Sequence, residues 1–160
     1  MSRTALYAGT VFLSFLPISE LRGAIPFAIA NHVPWYIAFA LAVICNSLVA
    51  PACWIFLSTL HRLFLKMPWY ARFFERFVER ARVKLHDKVE RWGWFGIAVF
   101  VAIPLPVTGA WTGTLGAWVL GISRRKTMIA VILGVITAGV IVTAVVLLGI
   151  QALDLFIKRV

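Results

Sequence analysis

The sequence predicts an all-α integral membrane protein made of two inverted repeats. Each repeat is a re-entrant helical hairpin followed by one transmembrane helix, and a basic amphipathic interfacial helix joins the two. Three observations carry this reading. Hydrophobic residues make up 62% of the 160-residue chain and charged residues 14%, against about 45–50% and 25% in soluble domains. Two apolar runs are long and unbroken, while two others are broken near the middle by proline and glycine. Broken and unbroken runs also follow in the same order in each half.

A chain of this size buries only about two-thirds of its surface in water, too little to hide so much apolar side chain. A bilayer must cover the outside, which excludes soluble enzymes, secreted disulfide scaffolds and disordered binders. Residues 1–160 read as a single membrane domain, with repeat 1 at about 4–60, the amphipathic helix at about 68–92 and repeat 2 at about 93–153.

The runs between charges are Thr4–Ser19, Gly23–His61, Trp92–Ser123 and Thr127–Leu153. A spanning helix needs about 20 apolar residues at about 1.5 Å rise each. Trp35–Leu60 and Thr127–Leu153 meet this, with Pro51 a kink site in the first. Thr4–Asn31 instead holds Pro17, Glu20, Arg22, Gly23 and Pro26 near its middle. Trp92–Ser123 holds Pro104, Pro106, Gly109 and Gly113. Proline removes a backbone donor and clashes with the preceding turn, so neither region reads as one continuous helix. Irregular backbone at membrane depth persists only where protein or a water-filled cavity covers it. Two half-helices that enter and leave on one side fit these lengths, and a pair of kinked single spans is the alternative. At the N-terminus, Arg3 precedes an apolar run, but no small-residue cleavage site follows, so a signal peptide is not expected.

From Pro68, which suits a first helical turn, Tyr70, Phe73, Phe74, Phe77, Val78, Ala81, Leu85, Val89 and Trp92 recur every three or four residues. Such spacing forms one stripe of a helix. Arg72, Arg76, Arg80, Lys84, Lys88 and Arg91 lie opposite, with Glu75, Glu79, Asp87 and Glu90 among them. This helix suits either the membrane interface, with its cations on anionic headgroups, or a cytoplasmic position packed on its own protein.

The net charge is +10, with nine of the sixteen Lys/Arg between Arg62 and Arg91 and three more at Arg124–Lys126. Basic clusters beside apolar runs mark the cytoplasmic side, so residues about 61–92 of a plasma-membrane protein are expected there. No recognition motif makes the charge a nucleic-acid patch. Hairpins and single spans each place twelve basic residues inside and three outside, so the positive-inside rule does not choose between them. An internal repeat adds to the argument. Leu16-Pro17-Ile18-Ser19 resembles Leu105-Pro106-Val107-Thr108 at an offset of 89 residues, and the same offset lays Trp35–Leu60 on Arg124–Gly149. One span between two hairpins inverts the second half relative to the first, the plan of many secondary transporters, whose sites lie at the broken segments.

Glu20 and Arg22 are the only charges within the apolar regions. Ionisable groups at membrane depth cost at least about 2.5–3.5 kcal/mol each, and they pair, line a cavity or carry function. At a Pro/Gly turn both can face one cavity, with Glu20 exchanging protons and Arg22 binding an anionic headgroup through its planar fork. Half-helix N-termini add donors for an anion. A fixed ion pair that pins the hairpin is the structural alternative. Pro17, Ser19, Gly23 and Pro26 form the first turn. Pro104, Pro106, Thr108, Gly109, Trp111, Thr112 and Gly113 form the second, which lacks an ionisable residue but carries hydroxyls, an indole donor and a small-residue face. Asn46 and Gln151 read as interhelical polar contacts. Cys45 and Cys53 match no metal or redox spacing and read as packing residues. His32, His61 and His86 are scattered, so no metal site and no cofactor is expected. With no nucleophile–base constellation, an enzyme is not expected either.

Across Glu20-Leu21-Arg22-Gly23-Ala24-Ile25-Pro26 and Pro104-Leu105-Pro106-Val107-Thr108-Gly109-Ala110-Trp111-Thr112-Gly113 the chain resembles the small multidrug export family, itself similar to the DedA/VTT superfamily. The resemblance runs over roughly residues 10–150. It implies two facing re-entrant hairpins and movement of lipids, lipid-linked phosphates or small compounds across a membrane. Glu20 falls where a DedA-like protein places an embedded acidic residue. Such proteins also carry arginine around the second hairpin. Here that hairpin is neutral, and the nearest candidates for headgroup contact are Arg124 and Arg125.

The leading expectation is therefore a proton-linked transporter or flippase for a small amphipathic, lipid-like or lipid-phosphate substrate, working among anionic membrane lipids. Export of organic cations and a non-transporting membrane scaffold are the alternatives. Two spans and two hairpins give one chain little wall around a pathway, so a homodimer is expected.

Overall fold

In the computed structural model, residues 2–64, 66–105 and 108–157 are described, and among them every regular element is helical. Pro106, Val107, Lys158 and Arg159 lie outside the described residues. The first helix, α1 (Arg3–Phe15), starts where the Ser2 hydroxyl accepts the Ala5 N–H at 3.2 Å. It stops at Leu16 (ψ 131°), the residue that Pro17 forces out of helical geometry. Its inward stripe is Leu6, Thr10 and Ser14. The two hydroxyls donate to the carbonyls of Leu6 and Thr10, at 2.8 and 2.7 Å. Neither is left unsatisfied in the apolar interior.

After the turn, α2 (Glu20–Ala30) buries Leu21, Ala24, Ile25 and Ala28 and carries Pro26 inside it. It ends at Asn31, whose side-chain amide donates to Phe27 O at 2.8 Å. His32, at a φ of 61°, then reverses the chain. The next helix, α3 (Trp35–Thr59), runs through Pro51 and buries Ala38, Ala42, Cys45, Val49, Cys53 and Leu57 at steps of three and four. Its most apolar 18-residue stretch has a mean hydropathy of 2.1, and its 25 residues reach roughly 38 Å, more than the ~30 Å hydrocarbon core.

A single turn, α4 (His61–Phe64), leads into α5 (Pro68–Trp92), with Pro68 in its first turn and Gly93 (φ 58°) beyond its end. Those are the bounds the sequence predicts. Tyr70 and Phe74 turn inward, while Trp69, Val83 and Trp92 are exposed with Arg72, Glu75, Arg76, Glu79 and Arg91. Of the stripe, Phe73, Phe77, Ala81, Leu85 and Val89 lie outside the described side chains. So do Arg80, Lys84, Asp87, Lys88 and Glu90 on the charged side.

The second broken region gives α6 (Phe95–Ala102) and α7 (Ala110–Val119), separated by Ile103–Gly109. Gly121 (φ 70°) makes the turn into α8 (Arg124–Ile157), within which the most apolar 18-residue stretch of Arg124–Gln151 has a mean hydropathy of 2.9. Among the described residues, α3 and α8 are thus the two helices long and apolar enough to cross a membrane. At ~1.5 Å per residue, α1, α2, α6 and α7 are each too short to do so alone.

The core is the seam among these elements. Leu21 and Ile25 of α2, Val49 of α3, Ile97 and Val101 of α6, and Val131 and Val135 of α8 are all fully buried. Glycine sets the closest approaches. A Cβ on Gly139 would lie 2.7 Å from Val43 Cγ2 of α3, and one on Gly134 would lie 2.7 Å from the Ala98 carbonyl oxygen of α6. Backbones this close gain dispersion contact where no hydrophobic effect acts between lipid-bathed helices. The bundle thereby brings the two broken connections face to face.

Candidate functional site

Glu20 opens α2 with a φ of 47°, a left-handed conformation that costs a non-glycine residue about 1–3 kcal/mol. That geometry turns its side chain across to the second broken region. One carboxylate oxygen accepts the Ala110 N–H at 3.4 Å and the other accepts the Trp111 N–H, also at 3.4 Å. These are first-turn amides of α7, donors with no partner in their own helix. A carboxylate there also meets the positive end of the helix dipole. Glu20 is 4% exposed, so the capping is done away from water, where it is strongest. Gly109 makes the approach possible, because a Cβ on it would collide with the Glu20 carboxylate.

Arg22 holds the other side of the same break. Its guanidinium donates to the carbonyls of Leu105 and Ile103 (the latter at 3.3 Å) and to Thr108 Oγ1 at 3.0 Å. The Thr108 hydroxyl lies 2.8 Å from each of those carbonyl oxygens. The chain there has left α6 and not yet entered α7, so its carbonyls lack helical partners, and the forked cation supplies them. Trp111 ties the connections together a third time: its indole Nε1 donates to Phe15 O, at the end of α1, at 3.0 Å. Glu20 and Arg22 thus each reach hydrogen-bond partners on the second break, while their opposite charges also attract one another.

Several polar atoms around these anchors are buried without hydrogen-bond partners: Ser19 Oγ, Arg22 Nε, Thr114 Oγ1 and both amide atoms of Asn46. Asn46 is the most telling. It is 1% exposed, on α3. Its amide interacts with the Glu20 carboxyl, in a geometry looser than that of a regular hydrogen bond. Each unsatisfied buried polar group costs about 1–3 kcal/mol, so a bundle that keeps two on one residue is holding polar capacity beside Glu20. The sequence marks Asn46 only as a lone polar residue within a span; nothing in its spacing points to Glu20.

The other residues singled out from sequence fall in three groups. Pro17, Ser19, Gly23 and Pro26 surround the first turn, with Gly23 against the Ser19 side chain. Pro104, Thr108, Gly109, Trp111 and Thr112 lie at the second, where the Thr112 hydroxyl donates to Gly109 O at 3.3 Å, and Gly113 packs against Val101 of α6. Arg124 and Arg125 are exposed at the start of α8, one ten-residue helix, or about 15 Å, beyond the second break. Gln151 is exposed, Cys45 and Cys53 are free and buried, and among the described residues no three His, Cys, Asp or Glu side chains gather as metal ligands.

No curated protein and no solved structure matches the chain. The family model described as "Putative small multi-drug export protein" matches residues 20–141. That span begins at Glu20 and takes in Arg22, Asn46, the whole second break and most of both long apolar helices. A membrane protein with this match over most of its length belongs to the small multi-drug export protein family.

Proposed function

We propose that the protein is a transporter for an anionic amphiphile, lipid-like or a lipid phosphate, that moves with a proton carried by Glu20. One observation carries this reading: the Glu20 carboxylate occupies the amide N-terminus of α7, beside the Arg22 guanidinium at the same break. Helix-terminal amides with an adjacent arginine form an anion cradle, and here the protein's own carboxylate fills it. Protonating Glu20 removes the charge that holds it there. The neutral carboxyl can turn to Asn46, whose carbonyl oxygen accepts its proton, and a monoanionic headgroup takes the vacated amides. Proton and anion then cross together with no net charge, which avoids the cost of carrying an ion through hydrocarbon.

The arrangement of the halves supports the transporter plan. Glu20 faces Gly109, its own equivalent at the 89-residue offset, and α2 packs on α8 as α7 packs on α3. Two broken segments related in this way, each folded back on itself, form the inverted-repeat site of a secondary transporter. Hydrophobic cations, the other reading, need the Glu20 charge free. In this structure the α7 amides hold it, and Arg22 would repel a cation.

The test is transport of a fluorescent short-chain lysophosphatidate in vesicles after a pH step. Wild-type movement should follow the pH gradient, and Glu20→Gln should abolish that dependence. A Glu20→Gln variant with the wild-type pH response would overturn the reading, as would tighter binding of hydrophobic cations than of anionic amphiphiles.

A further inference from the structure

We infer that the apolar pocket lined by α3, α5, α7 and the first turn holds the hydrocarbon tail of the substrate whose head occupies the Glu20/Arg22 break. This inference rests on the function proposed above and adds where the tail lies. The cavity measures about 230 Å³, with Pro17, Cys53, Leu57, Phe74, Trp111 and Leu115 among its walls. Sites that enclose a whole drug-sized molecule run to ~300–1,000 Å³, so this one has room for part of a ligand. None of the six residues named presents a charged group, and an apolar cavity favours hydrocarbon over water.

Trp111 connects tail to head. Its backbone N–H donates to Glu20, its indole N–H donates to Phe15 O, and its ring forms one wall of the cavity. The polar break and the apolar cavity are therefore the two sides of one residue, and Pro17, three positions before Glu20, adjoins both. A molecule with its anionic group at the α7 amides needs only to pass the indole for its chain to enter the cavity. The opposite wall comes from the basic helix, through Phe74 and Tyr70. Tyr70 is fixed by its hydroxyl, 3.2 Å from His61 Nδ1, and Phe74 by its ring, centred 4.1 Å from the His61 ring. The site thus takes a single-chain amphiphile of limited tail length, and α5 supplies one of its walls.

Binding of an n-alkyl phosphate series to the full chain in nanodiscs tests this, always against empty nanodiscs to remove partitioning. Site affinity referred to the free aqueous ligand should rise about fourfold per added methylene and then level off once the pocket is full, while uptake by empty nanodiscs keeps rising with chain length. Leu115→Phe, which fills the cavity, should move the plateau to shorter chains. Phe74→Ala, which enlarges it from the α5 side, should move the plateau to longer ones. A decyl phosphate with a terminal diazirine should crosslink to Cys53, Leu57 or Leu115. Methyl phosphate binding, which needs only the head site, should be unchanged in both variants. The same plateau in wild type and both folded variants, or crosslinks only to lipid-exposed residues of α8, would overturn the tail site and leave the transporter reading standing. No phosphate binding at any chain length would instead remove the head site on which both rest.

Discussion

Gly109 faces the Glu20 carboxylate with no room for a side chain between them, so a methyl group at residue 109 would stand where the carboxylate now caps α7. Glu20 is 4% exposed and cannot back into solvent. Gly109→Ala should therefore cost about 1–3 kcal/mol, as overpacking does, and lower the thermal midpoint in detergent. Glu20→Ala should cost less in the Gly109→Ala background than in the wild type, since the clash has already displaced the carboxylate that it removes. Strictly additive effects of the two changes would mean that the contact is unimportant.

The parts of the fold legible in the sequence were those set by local chemistry. Pro68 and Gly93 bracket α5 because one tolerates a first helical turn and the other a positive φ. Leu16-Pro17 and Pro104 fall at the breaks of two apolar runs because proline removes a backbone donor and clashes with the preceding turn, although α2 and α3 continue through Pro26 and Pro51. Glu20 and Arg22 drew notice as charges in hydrocarbon. Their partners were hidden, because Arg22 reaches Ile103 and Thr108, and Trp111 reaches Phe15, across more than eighty residues. No local pattern encodes which turn meets which. Asn46 was hidden for a related reason: its two unpartnered atoms become meaningful only once α3 stands beside Glu20.

Asn46→Leu should leave the protein as stable or make it more so, because it removes two buried atoms that lack partners at about 1–3 kcal/mol apiece. It should also shift the pH at which transport is half-maximal, because neutral Glu20 loses its second resting place. Thermal melts and a transport profile from pH 5 to 8 check this. A destabilised variant with an unchanged pH profile would reduce Asn46 to an interhelical contact.

Arg22→Lys keeps the charge but not the fork that spans Ile103 O, Leu105 O and Thr108 Oγ1. One ammonium cannot bridge the same acceptors in the same plane, and each lost bond from a charged donor costs about 1.5–3 kcal/mol when its acceptor goes unpaired. The lysine variant should melt earlier and exchange backbone amides faster around residues 103–109. Equal protection of that segment in both proteins would show that the break holds its shape without arginine.

His61, at the start of α4 and outside the long apolar helices, is 5% exposed among Tyr70, Phe74 and Trp118, and burial pushes its pKa below the ordinary 6.5. The sign follows directly. The docked state favours neutral imidazole, so as pH falls below 6.5 the undocked state takes up its proton first and docking of α5 weakens. Above that value the contribution is complete and pH-independent. Protection factors over residues 69–74, exchange rates divided by the intrinsic rate at each pH, should fall between pH 7 and 5, and His61→Phe should flatten the dependence. Protection that rises on acidification would contradict the sign.

Two contacts show the chain folding back within each broken region. Gly9 of α1 lies against the Phe27 ring of α2, and Gly113 of α7 against Val101 of α6, with Ile97 near as well. Along one straight helical pass, eighteen residues would separate Gly9 from Phe27 by roughly 27 Å. Contact requires the chain to fold back within each broken region. Both ends of α6–α7 should then emerge on one face of the membrane, while α3 carries the chain from one face to the other. In a background with Cys45 and Cys53 replaced by alanine, single cysteines at Arg91 and Ser123 should react with an impermeant maleimide from the same side, and one at Asn31 from the opposite side. Labelling of Arg91→Cys and Ser123→Cys from opposite faces would make the second break a kinked crossing, and the two breaks could not then form an inverted pair.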